Sequence, residues 1–599
     1  MRDFDAIVIG GGHAGIEASL ALSREGFTTL LVTQSLDAIG RMSCNPSIGG
    51  LSKGNIVREI DALGGEMGKL IDRSMIQMRI LNRRRGPAVQ APRAQADKHL
   101  YSRLAKETLE SEPRLSLFMD TVTDILTEDG RAIGVETARG HRISSRAVVL
   151  TTGTFMDGRI FIGEYDCPSG RLGEPAAIGL GDSLRAKGFH TGRMKTGTPA
   201  RVRRSSLDFD EMEIQHGDSP MEAFSFDQDY VDRPDIPCYI TYTNETTHQI
   251  IRDNISRSPL YGGKIVGKGP RYCPSIEDKV VRFPERERHQ IFVEPEGEGT
   301  EEMYLNGLSS SLPEDVQNAF IHSIPGLRHA EVMRPAYAVE YDYLDPMDLF
   351  PSLESKLCKG LFIAGQTNGT SGYEEAAGQG LLAGMNAAEL LKGNPPIILS
   401  RTEAYIGVLI DDLVTKGTKE PYRMFTSRAE HRLSLRHDTA DRRLSPIGFR
   451  AGLLPKASMD RLERKEQDIA CIKEILKKSR VSGKSAYDKL KEPQADITEL
   501  AVPGLSGYSP SLLREAELDI RYSGYLARQE REIEKAKREE ALSIPPDFDY
   551  DSIDGISSES REKLKSVKPL SIGQAQRISG VRVSDIAVLS VAVRSGRSG

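Results

Sequence analysis

Two periods of apolar spacing divide this chain. Asp5 to Gly10 carries the run Ala6-Ile7-Val8-Ile9, too short for a helix and closed by glycine, which predicts a buried parallel strand. Ala14 to Arg24 is dense in helix formers, and Phe27 to Thr33 returns to a β-branched and leucine-rich run, completing a strand-helix-strand unit. The same passage from strand to glycine recurs twice. Ala147-Val148-Val149-Leu150 runs into Thr151-Thr152-Gly153-Thr154, and Gly360 to Gly365 runs into a small-residue helix through Ala388. These transitions predict one discontinuous α/β domain of Rossmann type, drawn from residues 1–200 and 271–395. Residues 201–270, polar and rich in Pro, Tyr, Asp and Thr with β-like pieces such as Cys238–Tyr242, read as an inserted β-rich domain. After Pro395-Pro396 helix formers dominate; Arg461–Lys478 and Tyr522–Ala541 are charged and amphipathic, which predicts a C-terminal all-helical region. Pro545-Pro546 divides it into 396–545 and a small unit, 546–599.

Composition narrows the class. A chain of 599 residues exceeds what one core supports. With 38% hydrophobic and 28% charged residues it suits a packed globular protein. No apolar run reaches the roughly 18 residues of a membrane span, and the start enters a strand without a secretory pattern, so a cytoplasmic protein without a membrane partner is expected. The six cysteines contain no CxxC pair. That excludes a disulfide framework and predicts no metal site; any functional cysteine acts as a thiol. The net charge of −6 hides two basic regions: Arg79 to Arg103 has seven basic residues against Asp97, and Arg561 to Gly599 has eight against Glu562 and Asp585. Both are candidates for a polyanion. Arg423, Arg428, Arg432 and Arg436 recur at helix-like intervals and suggest a third stripe.

Gly10-Gly11-Gly12-His13-Ala14-Gly15 fits G-x-G-x-x-G between strand and helix, which gives a tight turn, backbone approach to a pyrophosphate and phosphate at a helix N-terminus. The second strand ends Leu31-Val32-Thr33-Gln34, without the acid that normally holds a ribose hydroxyl, leaving Thr33 or Gln34 to do so neutrally. The late glycine-rich segment Gly365 to Ala376, with Gln366 and Asn368 at its turn, favours FAD over NAD here, its helix facing the pyrimidine end of the flavin.

These motifs, with Met42 to Gly50 (Cys44 within it), Gly86 to Val89, Arg93 to Asp97, Gly269 to Lys279, Thr418 to Glu430 and Ser571 to Ala575, closely resemble those of the FAD-dependent subunit family of the bacterial tRNA uridine 5-carboxymethylaminomethyl modification enzymes. The likeness covers nearly the whole chain. It implies a homodimer that joins a GTPase partner subunit in a heterotetramer and modifies carbon 5 of the wobble uridine of certain tRNAs. It further implies methylene-tetrahydrofolate as one-carbon donor, glycine or ammonium as amine, and NADH as reductant. The family's NAD segment falls on Gly269, Pro270, Arg271, Tyr272, Cys273, Pro274, Ser275, Ile276, Glu277, Asp278, Lys279, Val280, Val281, Arg282 and Phe283. Where the family commonly has Ser-Lys before Gly-Pro-Ala-Val, this chain has Arg83-Arg84-Arg85-Gly86.

Carbon 5 of uracil is a poor nucleophile, and a thiolate adding at carbon 6 activates it. By resemblance Cys44 and Cys273 are the catalytic candidates, one for that attack and one for proton transfer, with their roles interchangeable at this level. Asp278 is the candidate base for the carbon 5 proton. Cys167, Cys238, Cys358 and Cys471 read as buried small hydrophobes. A folate- and flavin-dependent tRNA uridine methyltransferase shares the N-terminal pattern but lacks the extension at 400–599. A disulfide reductase would need a cysteine pair, and a non-enzymatic flavoprotein scaffold would need no reactive cysteine.

Overall fold

The computed structural model describes residues 3–271, 274–540, 542–545 and 547–595. Its first layer is a seven-stranded sheet. Asp3–Ile9 lies between Thr29–Thr33 and Arg142–Leu150, parallel to both, and Leu361–Ile363 adds in parallel beside Arg142–Leu150. The register sets Ile9 opposite Leu150 and Leu150 opposite Ile363, so all three strands end at one level. Buried on both faces, they carry unbroken apolar runs rather than an alternating pattern. Ile7, Val149 and Phe362 are sealed from solvent, and truncating such a side chain to alanine costs about 2–5 kcal/mol. The helices His13–Arg24 and Tyr373–Lys392 cover this sheet and pack so closely that a Cβ on Gly380 would lie 2.1 Å from the Ala14 carbonyl.

Beside this layer stand a five-stranded sheet, which includes Thr191–Thr198 and Tyr337–Leu344, and a six-stranded antiparallel sheet. The expected insert at 201–270 is too short. Cys238–Tyr242 pairs with Gln290–Pro295, which pairs with Glu302–Asn306, which pairs with Arg201–Arg203. Val202, Ile291, Val293, Met303 and Leu305 then share one core that runs from Ala200 to Ala336. Between its strands the chain touches the first core where Met221 and Phe224 pack into it, and it returns through the Tyr337–Leu344 strand of the five-stranded sheet.

The helical region also divides differently from the expectation. Leu399 to Leu453, including the helix Tyr405–Lys416, belongs to the first core. Lys456–Lys478 and Pro510–Arg521 build a separate core around Ile472 and Ile520. The last core gathers Ile544 to Ala592 and docks on the first unit where Arg577 meets Asp411 at 2.7 Å and Lys356 donates to the Val567 carbonyl at 2.7 Å. Among the described residues no helix is long and apolar enough to cross a membrane.

Candidate active site

The three parallel strands release their chains into glycine turns at the same edge. Gly10 adopts φ +105°, and a Cβ there would lie 2.5 Å from the Thr151 carbonyl; a Cβ on Gly15 would lie 1.8 Å from the Gly10 carbonyl. Glycine is thus a steric requirement of the turn and of the helix start. The turns are tied together: Thr152 and Thr367 hydroxyls meet at 2.9 Å, and the Gly153 N–H donates to Thr367 at 3.0 Å. This edge fits a dinucleotide. The helix His13–Arg24 opens without a side-chain cap or an acid in its first turn, leaving its first N–H groups for an anion. Outward from Gly12 a Cβ would meet no atom within 4 Å. His13 Nε2 and Asn368 Oδ1 are buried without a hydrogen-bond partner among the described residues. Burial holds the His13 pKa down to about 4, so its ring is neutral at neutral pH. Gln366 is half-buried in the third turn, and Gln34 donates to Thr121 at 3.2 Å.

Cys44 lies across from this edge, between two tyrosines. Its N–H donates to the Tyr373 hydroxyl at 2.8 Å, and the Tyr373 ring sits 4.5 Å from the His13 ring. Its sulfur lies 3.1 Å from the Tyr304 hydroxyl and 3.8 Å from the Gly197 carbonyl. Tyr373 opens the late helix, whereas Tyr304 comes from the six-stranded sheet, so the thiol sits where the two units meet. Arg201 braces the turn, donating to the Ser43 carbonyl at 2.7 Å and to Glu296 at 3.0 Å, with its guanidinium 4.9 Å from the Tyr304 ring. Burial opposes the Arg201 charge, but Glu296 outweighs it, aided by Tyr304, Tyr337 and Cys44, and its pKa rises. Behind the turn, Glu374 takes the Gly49 N–H at 2.7 Å and Lys53 at 2.8 Å. Burial again works against the charge, yet Lys53 and these donors pull the Glu374 carboxyl below the usual range. Sequence reasoning singled out neither Tyr304 nor Arg201. Tyr373 and Glu374 fell within its glycine-rich motif without a role.

The segment expected for NAD has a different setting. Ile276–Arg282 is a short helix capped by Ser275, and Ile276, Glu277 and Val280 are buried in the second core. Glu277 accepts from the Ser311 N–H at 2.9 Å, and Lys279 donates to the Gly307 carbonyl at 2.9 Å. Asp278 accepts from the Tyr261 hydroxyl at 3.2 Å and faces Arg282 at 3.6 Å. The Ile276 N–H donates to the Ser309 carbonyl at 2.7 Å, which holds the segment against the loop that follows the Tyr304 strand. Tyr272 and Cys273 lie outside the described residues. Gly269, Pro270, Val281, Arg282 and Phe283 are half-buried or exposed.

The basic regions are partly neutralised. Arg83 pairs with Asp218 at 2.9 Å, Arg93 with Glu294 at 2.7 Å and Lys98 with Glu302 at 2.8 Å, while Arg84 and Arg85 are exposed. A cleft of about 390 Å³ opens beside Ser43, with Arg41, Arg103, Lys106, Arg171 and Arg334 on its walls against the acids Asp37 and Glu174. In the last unit Lys565 pairs with Asp551 at 2.6 Å, whereas Lys563, Lys568 and Arg582 are exposed; Arg597 lies outside the described residues. The expected third stripe does not form: residues 423–436 run through turns rather than a helix, and Arg436 is buried against Asp438 at 2.9 Å. Cys238 and Cys358 are buried as expected, but Cys167 is half-buried and Cys471 is exposed on a polar helix face.

The glucose inhibited division protein A family matches residues 5–395. The tRNA modifying enzyme MnmG/GidA C-terminal helical domain matches 456–530, and the MnmG/GidA C-terminal helical bundle matches 532–599. The tRNA uridine 5-carboxymethylaminomethyl modification enzyme MnmG of Borrelia garinii subsp. bavariensis is 58% identical, with 98% of this chain and 97% of that protein covered. The protein of the same name from Treponema denticola is 54% identical, with coverage of 98% and 99%. GidA of Aquifex aeolicus in its form I crystal superposes with a TM-score of 0.93 at 49% identity, covering 99% of this chain and 100% of that one. The chain belongs to the glucose inhibited division protein A family, the MnmG/GidA proteins.

Proposed function

We propose that this chain is a FAD-dependent tRNA-modifying enzyme that adds a carboxymethylaminomethyl or aminomethyl group to carbon 5 of the wobble uridine. The observation that carries the reading is the placement of one thiol, Cys44, directly across from a dinucleotide-fitted glycine edge, with Tyr373 touching both sides. The name carried by relatives at 58% and 54% identity supports the substrate. The likeness of 456–530 and 532–599 to MnmG/GidA helical domains favours this activity over the methyltransferase.

In this reading Gly10, Gly11, Gly12, His13, Ala14 and Gly15 hold the FAD diphosphate by backbone N–H groups, and Gly365, Gln366 and Asn368 hold its other end. FAD bound there supplies hydride transfer. The Cys44 thiolate forms a bond to carbon 6 of the uracil, and the carbon 5–carbon 6 electron pair becomes an enolate whose carbon 5 attacks the one-carbon unit from methylene-tetrahydrofolate. A base then takes the carbon 5 proton as the tetrahydrofolate nitrogen leaves, the amine nitrogen of glycine or ammonium adds to the methylene so exposed, and the sulfur–carbon 6 bond breaks to return the thiolate. Cys273 and Asp278 are the candidates for that proton transfer. NADH approaches through residues 269–283, and glycine or ammonium supplies the amine. The exposed Arg84, Arg85, Lys563, Lys568 and Arg582 and the basic cleft beside Ser43 contact tRNA phosphates. A homodimer joined to a GTPase subunit, working in the cytoplasm, completes the reading.

Nucleoside mass spectrometry tests it. Purified protein with its GTPase partner, FAD, NADH, methylene-tetrahydrofolate and glycine adds a carboxymethylaminomethyl-sized mass to wobble uridine, and ammonium adds an aminomethyl-sized one. A methyl-sized mass alone would establish the methyltransferase instead, and an unmodified nucleoside would remove the reading.

A further inference from the structure

The geometry around Cys44 points to Tyr304 as the residue that activates its thiol: we infer that the Tyr304 hydroxyl donates a hydrogen bond to the Cys44 sulfur and, with the buried guanidinium of Arg201 behind it, stabilises the thiolate. This inference rests on Cys44 being the reactive thiol of the proposed function and deepens that assignment.

Three observations carry it. The first is the pair of polar contacts at the sulfur. The thiol faces the Gly197 carbonyl at 3.8 Å, an oxygen that can only accept, while the Tyr304 oxygen lies 3.1 Å from the sulfur. With the thiol hydrogen directed to Gly197, the sulfur lone pair takes the tyrosine hydrogen. Once the proton has left, the tyrosine bond becomes charge-assisted and strengthens, whereas the carbonyl loses its donor. The second is fixed positive charge. Arg201 is 5% exposed, and its guanidinium, 4.9 Å from the Tyr304 ring, is close enough for Cys44 and Tyr304 both to favour its charged form. That buried cation stands behind the tyrosine whose hydroxyl meets the sulfur. Third, the turn is fixed on both sides of the thiol, since the Cys44 N–H donates to Tyr373 and Arg201 donates to the Ser43 carbonyl, which holds the sulfur against Tyr304. The pair is built across two units: Cys44 belongs to the loop after the first strand-helix-strand unit, and Tyr304 to the six-stranded sheet. Activation of the thiol is thereby coupled to correct seating of the second sheet on the first core.

The test is peptide-resolved alkylation of Cys44 by iodoacetamide across pH, with FAD content read on the same samples; resolving peptides separates Cys44 from the exposed Cys471. Tyr304→Phe keeps the ring against Arg201 and removes only the hydroxyl. It is expected to slow Cys44 alkylation about tenfold at pH 7, with rates converging with wild type at high pH where every thiol is ionised. Tyr373→Phe is the comparison, since its hydroxyl bonds the Cys44 backbone N–H and not the sulfur; its pH profile stays with wild type. An unchanged profile in Tyr304→Phe with FAD still bound would overturn the inference, and so would equal slowing in both variants, which would mean loss of the turn's shape. Tyr304→Phe that modifies tRNA poorly with an unchanged profile would also overturn it while leaving the proposed function standing.

Discussion

Two glycine-marked segments of this molecule, Gly10–Gly15 and Gly267–Phe283, look comparable on paper and behave differently in space. The first sits where a buried parallel strand meets a helix, and two of its glycines are compelled by backbone atoms: a Cβ on Gly10 would lie 2.5 Å from the Thr151 carbonyl and one on Gly15 1.8 Å from the Gly10 carbonyl. The second lies outside the parallel sheet. Its short helix is fastened by Ile276, Glu277 and Lys279 to the second core, and a Cβ on Gly269 would lie 3.3 Å from the Lys195 side chain and 3.9 Å from its carbonyl. A glycine motif therefore gains meaning from what its backbone must approach. Ligand-binding edges arise where several strands end together, as Ile9, Leu150 and Ile363 do.

The contrast can be broken most sharply at Gly15. Gly15→Ala places a methyl group inside contact distance of backbone that cannot give way, and is expected to lower FAD content more than tenfold and to reduce the melting temperature. Retention of normal flavin would remove the steric basis of the site.

A second effect follows from His13. In the folded chain burial keeps its ring neutral down to about pH 4, whereas the unfolded chain protonates near the ordinary 6.5. Unfolding then takes up a proton between those values, so stability is lost as pH falls from 6.5 towards 4, by roughly 3 kcal/mol when complete. Glu17, which burial pushes up from 4.5 to about 7, works in the opposite sense between those two values, favouring the fold as the pH falls through them. Urea unfolding of wild type and His13→Gln isolates the histidine: the two stability curves are expected to diverge as the pH falls, with wild type losing more. Parallel curves would contradict a buried neutral His13.

The smallest effect is expected at Gly269. Gly269→Ala displaces a side-chain methylene, leaves FAD content unchanged and shifts stability by less than about 0.5 kcal/mol. Its one functional consequence is expected in the KM for NADH, measured by anaerobic flavin reduction. Loss of flavin in this variant would erase the distinction between the segments.

How much of this was legible in the sequence depended on the distance over which each feature is specified. The glycine turns and their flanking elements were readable because strand, turn and helix are contiguous and locally determined. The second sheet was read too short because Gln290–Pro295 and Glu302–Asn306 acquire meaning only by pairing with Cys238–Tyr242 and Arg201–Arg203. Tyr304 was silent for the same reason: a tyrosine in a buried strand reveals nothing of a sulfur 260 residues away in the chain. The arginine spacing over 423–436 misled because Pro421 and the turns after it break the helix on which such spacing would make a stripe. Basic stretches misled more mildly. Arg83 and Arg93 each meet an acid brought in by another element.

Cys44→Ser gives the most direct test of an active site shared between the glycine edge and the thiol opposite. The variant, purified with FAD and assayed by nucleoside mass spectrometry with its GTPase partner, is expected to bind FAD as wild type does and to leave the wobble uridine unmodified. A flavin-loaded Cys44→Ser protein that still adds the carboxymethylaminomethyl mass would contradict it.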